Sequence, residues 1–576
     1  MFTPSAVSSN ELLAKLLIEE LLRYNVNRYF ISPGSRSTPL TAAVASDARV
    51  NASIHVDERG AAFQAIGFAR ATGKPGVLIC TSGTAQSNYY PAVLEAEADA
   101  VPLIVLSADR PPKLQNVGAN QTTDQKEMFG RHVKLFLNIQ PPDEKTDFKK
   151  ILEPFSTLVS TSMFHPCGPV HVNLMFDEPL VPNGKQVDFK KQFDSLFKWI
   201  KSSGPYSPLH IRRGIKNINA EFDVNAPTIV IAGHLSSQID ASTVLEFAEK
   251  MNLPIFADIR SNLRFGNESK NIISYHDLLL KSDELTKLKN LQVIHIGGNF
   301  VSKRLHQFIE RSDVKQYLVL HNTKYPFNAH HKMTASHSGY ISGLVKSLEK
   351  NLNSFSKNNL QLFQNLNKKI DSYLKKQTKQ VSEITLPRLV IEEFRNNSFL
   401  FVASSMPVRD LDMFAQTTSK KIPVYANRGL SGIDGTIASF AGVSDGLNKR
   451  GVLLVGDLAF IHDMNSLALI QKSNNPLTII LINNNGGGIF SFLPIAQKEE
   501  IFENYFGAGQ DVDYKAVVEG FKLDYFTVSD RKSFVELFKN VQLSNKSSVI
   551  EIVTDRKENF QLHKKLYAEI SDILNK

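Results

Sequence analysis

The sequence predicts an α/β fold of three doubly wound parallel-sheet domains. Short apolar runs alternate with helical patterns along almost all of its 576 residues. That alternation is the signature of strand–helix–strand units with helices on both faces of a sheet. The chain is also too long for one core, because single cores stop growing at roughly 250–300 residues. Finally, two polar, lysine-bearing stretches, 186–225 and 353–384, divide the alternation into blocks 1–185, 226–352 and 385–576.

In the first block, strands are predicted at Arg28–Ser32, Gly76–Cys80 and Leu103–Ser107, with helices at Glu11–Tyr24 and Glu58–Thr72. The block closes near the apolar HVNLMFDEPL, His171 to Leu180. The second opens with APTIVIAGHL (Ala226 to Leu235) and includes LQVIHIGG (Leu291 to Gly298). A polar helical segment, Asn353 to Ile384, leads to the third. There the strands are Phe399–Ser404, Val452–Val455, Leu477–Ile482 and Val549–Asp555. No short-period repeat is present; three similar doubly wound domains are a repeat on a larger scale.

Bulk composition narrows the function. The apolar share is 42%, the charged share 21% and the formal charge +9, a mild bias on so long a chain. It suits an anionic substrate or cofactor and does not argue for nucleic acid. Two cysteines, Cys80 and Cys167, exclude a disulfide framework and a thiolate metal cluster. Glu11, Lys15, Glu19 and Glu20 interrupt any signal-peptide core. No run approaches the ~18 apolar residues of a membrane span. A cytoplasmic enzyme is expected.

The chemistry concentrates at strand ends. The strand before Gly456-Asp457 and the strand before Asn483-Asn484-Asn485 are joined by a helix, so as parallel neighbours they bring Asp457 and Asn484 to one sheet edge. A carboxylate, an amide carbonyl and a backbone carbonyl from the glycine turn make a hard-cation site with positions left for phosphate oxygens. In HVDERGAAFQAIGFARATG, Glu58 enters a helix of small and apolar residues. It reads either as a glutamate in a dry site with a raised pKa or as a helix N-terminal acid favoured by the macrodipole. ISPGSRSTPL offers Ser35, Arg36 and Ser37 at a helix start, which suits an anion or is an ordinary capped turn. TSGTAQSN and ADRPPKLQNVGANQTTDQ are further polar loops, the latter with Arg110, Asn120 and Gln121. Lys303 and Arg304 follow a glycine turn, as site cations or as surface charges. Ser405, Arg409 and Arg428 sit at strand ends, and Ile433 is an apolar residue raised on a glycine-rich loop. So many cations fit a substrate with several carboxylates.

Glu58 in the first block, paired with the Asp457–Asn484 segment in the third, resembles the thiamine diphosphate enzymes. There a Gly-Asp-X motif and an Asn-Asn turn lie under thirty residues apart; here the two are 27 apart (484 − 457). Leu458 replaces the usual glycine, as in one branch, the 2-succinyl-5-enolpyruvyl-6-hydroxy-3-cyclohexene-1-carboxylate synthases. PGSRSTPL, DERGAAFQAIGFA, TSGTA, SADRPP, GANQ, NRGLSGIDG and NNNGGGIFSFLP all resemble that branch, in order. The likeness is thinner in the middle block and in roughly the last fifty residues.

The resemblance implies pyrimidine-binding, central and diphosphate-binding domains, in that order. It implies thiamine diphosphate with Mg²⁺ (or Mn²⁺) held by Asp457, Asn484 and the Gly486 carbonyl. Glu58 would hydrogen-bond the cofactor's pyrimidine, and Ile433 would be the wedge that bends it. Ser404, Ser405, Gly456, Leu458, Gly487 and Ile489 would line the cofactor. Ser35, Arg36, Arg110, Asn120, Gln121, Lys303, Arg304, Ser405, Arg409 and Arg428 would seat the substrates, with Arg36, Gln121 and Arg409 taking part in catalysis. Ile489, Phe490 and Leu493 would wall the reacting carbon. The implied reaction joins 2-oxoglutarate, after loss of CO₂, to isochorismate in menaquinone biosynthesis. The implied assembly is a homodimer, or a tetramer built from it, with sites at the subunit interface. Two other readings stand beside it: another 2-oxo acid decarboxylase or carboligase of the same cofactor class, and a non-catalytic metabolite-binding regulator.

Overall fold

The computed structural model describes residues 5–182, 184, 187–188, 194–208, 217–377 and 380–576. Part of the predicted 186–225 connector, and residues 378–379 of the 353–384 linker, lie outside the described residues. By its contacts the chain forms two compact units: Met1–Arg213 with Ala438–Leu447, and Gly214–Ile437 with Asn448–Lys576.

The first unit contains a six-stranded parallel sheet: β1 (Arg28–Ile31), β2 (Asn51–Ile54), β3 (Gly76–Cys80), β4 (Leu103–Asp109), β5 (Phe136–Ile139) and β6 (Pro169–Met175). The spatial order is β2-β1-β3-β4-β6-β5. Every residue of β3, β4 and β6 is buried. Helices cover both faces, which is why these strands read as continuous apolar runs rather than alternating ones. Cys80 is fully buried, and burial pushes its thiol up, as fits a small core residue.

The helix Glu58–Thr72 starts at the Asp57 cap, whose side chain accepts from the Arg59 N–H at 3.0 Å, and ends at Gly73 with φ 70°. Residues 438–447 of the helix Thr436–Leu447 lie against it in the same unit. A Cβ on Gly67 would stand 2.0 Å from the Ser439 carbonyl oxygen, and one on Gly442 2.0 Å from that of Gln64. Hydrogen at both positions is what lets the two backbones approach. The Ser439 hydroxyl donates to the Phe63 carbonyl across the contact at 3.0 Å.

The second unit contains two sheets. The middle one is β7 (Thr228–Ala232), β8 (Ile255–Ala257), β9 (Ile272–Ile273), β10 (Leu291–Ile296), β11 (Val314–His321) and β12 (Ala335–Ser338), ordered β9-β8-β7-β10-β11-β12. The last is β13 (Phe399–Val402), β14 (Val424–Tyr425), β15 (Gly451–Gly456), β16 (Leu477–Asn483), β17 (Asp524–Thr527) and β18 (Ser548–Val553), ordered β14-β13-β15-β16-β18-β17. The first and last sheets therefore share one winding order, and the middle sheet has another. Strand order reverses between β1 and β3 and between β13 and β15, and α/β sheets place ligands outside the strand ends at such points.

The predicted polar helix is Lys357–Gln377. It buries Leu360, Phe363, Leu366, Ile370 and Leu374, one stripe at helical spacing. Four of these join Leu566, Ile570 and Leu574 of the C-terminal helix Arg556–Asn575 in one apolar cluster. A buried charge group also links the middle and last sheets. Asp412 accepts from the Arg264 guanidinium at 3.2 Å and the Ile259 N–H at 2.9 Å, and His276 lies at 3.4 Å. Removing Asp412 leaves Arg264 buried without its counter-charge. Asp412→Ala is therefore expected to lose ~3–5 kcal/mol of stability in urea unfolding of this unit. A loss below 1 kcal/mol would show that the pair is dispensable. Among the described residues, no helix is long and apolar enough to cross a membrane.

Candidate active site

In the second unit the predicted cation ligands converge. β15 and β16 pair in parallel with Gly456 opposite Ile482, so Asp457 and Asn484 leave adjacent strands at the same level. Asp457 opens the helix Asp457–His462, and its carboxylate is held from two sides. Leu458 N–H donates to one oxygen at 2.7 Å and Gly486 N–H to the other at 2.8 Å. Burial raises its pKa, while these N–H groups pull it down.

The three asparagines do different work. Asn483 donates to Glu551 at 2.6 Å and accepts from the Asn485 N–H at 3.1 Å. Asn485 takes φ 56° to turn the chain. Asn484 points inward, 7% exposed. Its Nδ2 donates to Glu383 at 3.1 Å, and among the described residues its buried Oδ1 has no hydrogen-bond partner. An orphaned buried amide oxygen beside a carboxylate is what a hard cation would satisfy. Gly486 has φ 122°, and a Cβ there would fall 1.9 Å from the Gly507 carbonyl oxygen. The Gly486 carbonyl accepts from the Gly488 N–H at 2.8 Å and keeps a second lone pair. The Asp457 carboxylate, the Asn484 Oδ1 and the Gly486 carbonyl are hard oxygen donors of the kind that fits a divalent ion.

The same sheet edge brings in other predicted residues. Ser405 starts the helix Met406–Phe414 with φ 72° and ψ −134°, a conformation costing a non-glycine residue ~1–3 kcal/mol. Its carbonyl accepts from the Arg409 guanidinium. Burial lowers the Arg409 pKa. Ser404 donates to the Asn427 carbonyl at 3.1 Å and meets Arg428 Nη1 at 3.5 Å, tying two loops together. From the middle sheet, Asn299 donates to the Arg428 carbonyl at 3.1 Å. Lys303 is exposed. Arg304 is engaged by Asp277 and lies 4.1 Å over the Tyr567 ring. Gly456 ends β15 and Leu458 is in the helix that follows; both are half-buried, as are Ile433, Ile489 and Phe490, while Gly487 is buried and Leu493 exposed.

In the first unit, the loops after β1, β3 and β4 meet. The Arg36 N–H donates to Thr81 Oγ1 at 3.3 Å, and its Nη1 to the Phe176 carbonyl at 3.1 Å; Glu178 lies 3.4 Å away. Arg36 is buried, its Nε has no partner among the described residues, and burial with nearby Arg110 lowers its pKa. Gln121, at φ 55°, donates to the Ser82 carbonyl at 3.0 Å, and its own carbonyl accepts from Ser82 Oγ at 2.9 Å and Arg110 Nε at 3.4 Å. Ser35 and Asn120 are exposed on these loops. Glu58 is half-buried at its helix start, and burial, with Asp57 adding, raises its carboxyl pKa. The structure thus places Glu58 as a helix N-terminal acid.

Sequence reasoning missed the supporting residues. Glu383 is 101 positions from Asn484 in a polar linker, and nothing local marks it. Burial, then Asp410, pushes its pKa up to about 7. His563 meets Asp410 at 3.0 Å; burial opposes charge on the imidazole, but Asp410 more than offsets it. In the first unit, the fully buried Gln125 accepts from the Gly83 N–H at 2.8 Å and donates to Asn173 at 3.0 Å, fixing the floor under the Arg110–Gln121 loop.

Three family descriptions match along the chain in order. They are the thiamine pyrophosphate enzyme N-terminal TPP binding domain over residues 12–128, the middle domain of thiamine pyrophosphate enzymes over 190–402, and the C-terminal TPP binding domain over 413–552. Curated relatives match over nearly the whole length. A 2-succinyl-5-enolpyruvyl-6-hydroxy-3-cyclohexene-1-carboxylate synthase of Chlorobaculum parvum is 38% identical, covering 98% of each chain. One of Rubrobacter xylanophilus is 36% identical, again over 98% of each. One of Salinibacter ruber is 35% identical over 97% of this chain and 96% of that protein. With the three sheets and the Asp457–Asn484 edge already in place, these likenesses make the chain a member of the thiamine diphosphate enzymes and, within them, of the 2-succinyl-5-enolpyruvyl-6-hydroxy-3-cyclohexene-1-carboxylate synthase family.

Proposed function

We propose that this protein releases CO₂ from 2-oxoglutarate and transfers the remaining four-carbon unit to isochorismate, in menaquinone biosynthesis. The observation that carries this reading is the full-length likeness to synthases of that name. Thiamine diphosphate supplies the electron sink for the pair left by departing CO₂. Asp457, the Asn484 Oδ1 and the Gly486 carbonyl would hold Mg²⁺, or Mn²⁺ in its place, against the cofactor's diphosphate. The Asn484 oxygen, without a hydrogen-bond partner among the described residues, supports that assignment. Glu58 would hold a proton at its carboxyl against the cofactor's pyrimidine ring, and its burial favours the protonated form. Ile433 would brace the cofactor from its loop, with Ser404, Ser405, Gly456, Leu458, Gly487 and Ile489 around it.

Substrate carboxylates would be seated by Ser35, Arg36, Arg110, Asn120 and Gln121 of the first unit, and by Lys303, Arg304, Ser405, Arg409 and Arg428 of the second. Ile489, Phe490 and Leu493 would exclude water from the reacting carbon. We further propose a cytoplasmic homodimer, or a tetramer of such dimers, in which Glu58 of one subunit completes the metal edge of another. The test is turnover of 2-oxoglutarate with isochorismate, dependent on thiamine diphosphate and Mg²⁺. A folded, cofactor-loaded protein that does not consume the two together would sink the reading.

Arg409→Ala is expected to raise KM for one carboxylate substrate by about tenfold or more, the worth of a charge-assisted hydrogen bond. Cofactor affinity should change less than threefold. Equal losses in both would assign Arg409 a structural role.

A further inference from the structure

Behind the proposed cation site lies a contact that no strand-end motif contains. Glu383 precedes the helix Leu386–Glu393 and is 3% exposed. Its Oε1 accepts two hydrogen bonds, from Asn484 Nδ2 at 3.1 Å and from Thr554 Oγ1 at 2.8 Å. Thr554 is itself anchored, its N–H donating to the Asn483 carbonyl at 2.8 Å. With Glu383 Oε1 acting as acceptor, one orientation of the Asn484 amide fits. Rotated by half a turn, it would set two oxygens against each other and aim N–H bonds at the cation. Space for the amide comes from Gly488, where a Cβ would lie 2.7 Å from Asn484 Nδ2.

We propose that Glu383 is the positioning residue of the cation site: by holding Asn484 Nδ2, it presents the Asn484 Oδ1 to the divalent ion. Outer partners of this kind commonly change metal affinity about 10–100-fold when removed, because an unfixed ligand must be ordered on binding. An amide also has a wrong end as well as a right one, whereas a carboxylate has two equivalent oxygens. Glu383 can therefore favour the cation by this means only while position 484 carries an amide.

The inference rests on Asn484 being a cation ligand, and the experiment separates the two claims. Binding of Mn²⁺ to the full-length chain is measured with saturating thiamine diphosphate by electron paramagnetic resonance, beside thermal melting of each metal-free variant. Glu383→Leu is expected to weaken Mn²⁺ binding about 10–100-fold. Glu383→Gln, which keeps an acceptor oxygen, should recover most of the affinity. In the Asn484→Asp background a carboxylate oxygen faces Glu383 and there is no amide to orient, so Glu383→Leu should not weaken Mn²⁺ binding. If Glu383→Leu lowers the metal-free melting temperature, Glu383→Asp replaces it, since that change keeps the charge and withdraws the oxygen. Unchanged Mn²⁺ affinity in the folded variant overturns the proposal. So does an equal loss in both backgrounds, which would mark general damage. Full affinity in Asn484→Ala would instead overturn the ligand reading beneath it.

Discussion

Glu58→Gln will lower steady-state turnover by ~10²–10⁴-fold, the usual worth of a positioned acid–base group, and leave thiamine diphosphate binding within a few-fold of normal. The reason lies in the local structure. Asp57 caps the helix, so Glu58 is its first residue, and burial favours the neutral carboxyl. Glutamine preserves size and a hydrogen bond but has no proton to exchange. Cofactor binding, followed by quenching of intrinsic fluorescence, should therefore survive while catalysis does not. A variant that turns over at near the normal rate would refute the role. One that loses cofactor affinity as steeply as rate would make Glu58 a binding residue only.

Mixing two dead chains will restore activity. Asp457→Ala removes the lone carboxylate of the cation site and should abolish cofactor loading at ordinary Mg²⁺ concentrations. Glu58→Gln is inactive for a different reason. If each site draws Glu58 from one subunit and Asp457 from another, a mixed dimer contains one site with both residues intact. Random exchange between equal amounts would then recover about a quarter of normal activity, from half the dimers with one site each. Exchange is verified independently with differently tagged chains. No recovery after verified exchange would mean that both residues of a site come from the same chain, or that the sites are not shared at all.

Much of the fold was legible because buried parallel strands advertise themselves. Gly76–Cys80 and the helix Glu58–Thr72 fall where the sequence places them, and the other strands differ by a residue or two at their ends. Strand ends shift because the ladder is set by neighbouring strands, and apolarity does not mark where pairing stops. Leu103–Asp109 continues two residues past its predicted end because β6 pairs with it that far. Winding order was not legible: the three blocks look alike as sequence, yet only the first and last sheets share an order. Strand order depends on how crossovers pack, which no local pattern encodes.

Composition and spacing along the chain set the chemistry on offer: the Gly456-Asp457 and Asn484 strand ends, the glycine turn, Glu58 at a helix start, and cations near strand ends. Each is a short-range property of composition and spacing. Tertiary structure decided which groups are held and how. Among three adjacent asparagines, only Asn484 faces inward, with its Nδ2 taken by Glu383 and its Oδ1 without a partner among the described residues. Arg304 stands against Asp277 and Tyr567, partners 27 and 263 positions away. Orientation of an amide or a guanidinium is set by whichever distant groups fill its remaining hydrogen-bonding positions. Those groups become neighbours only when the chain folds.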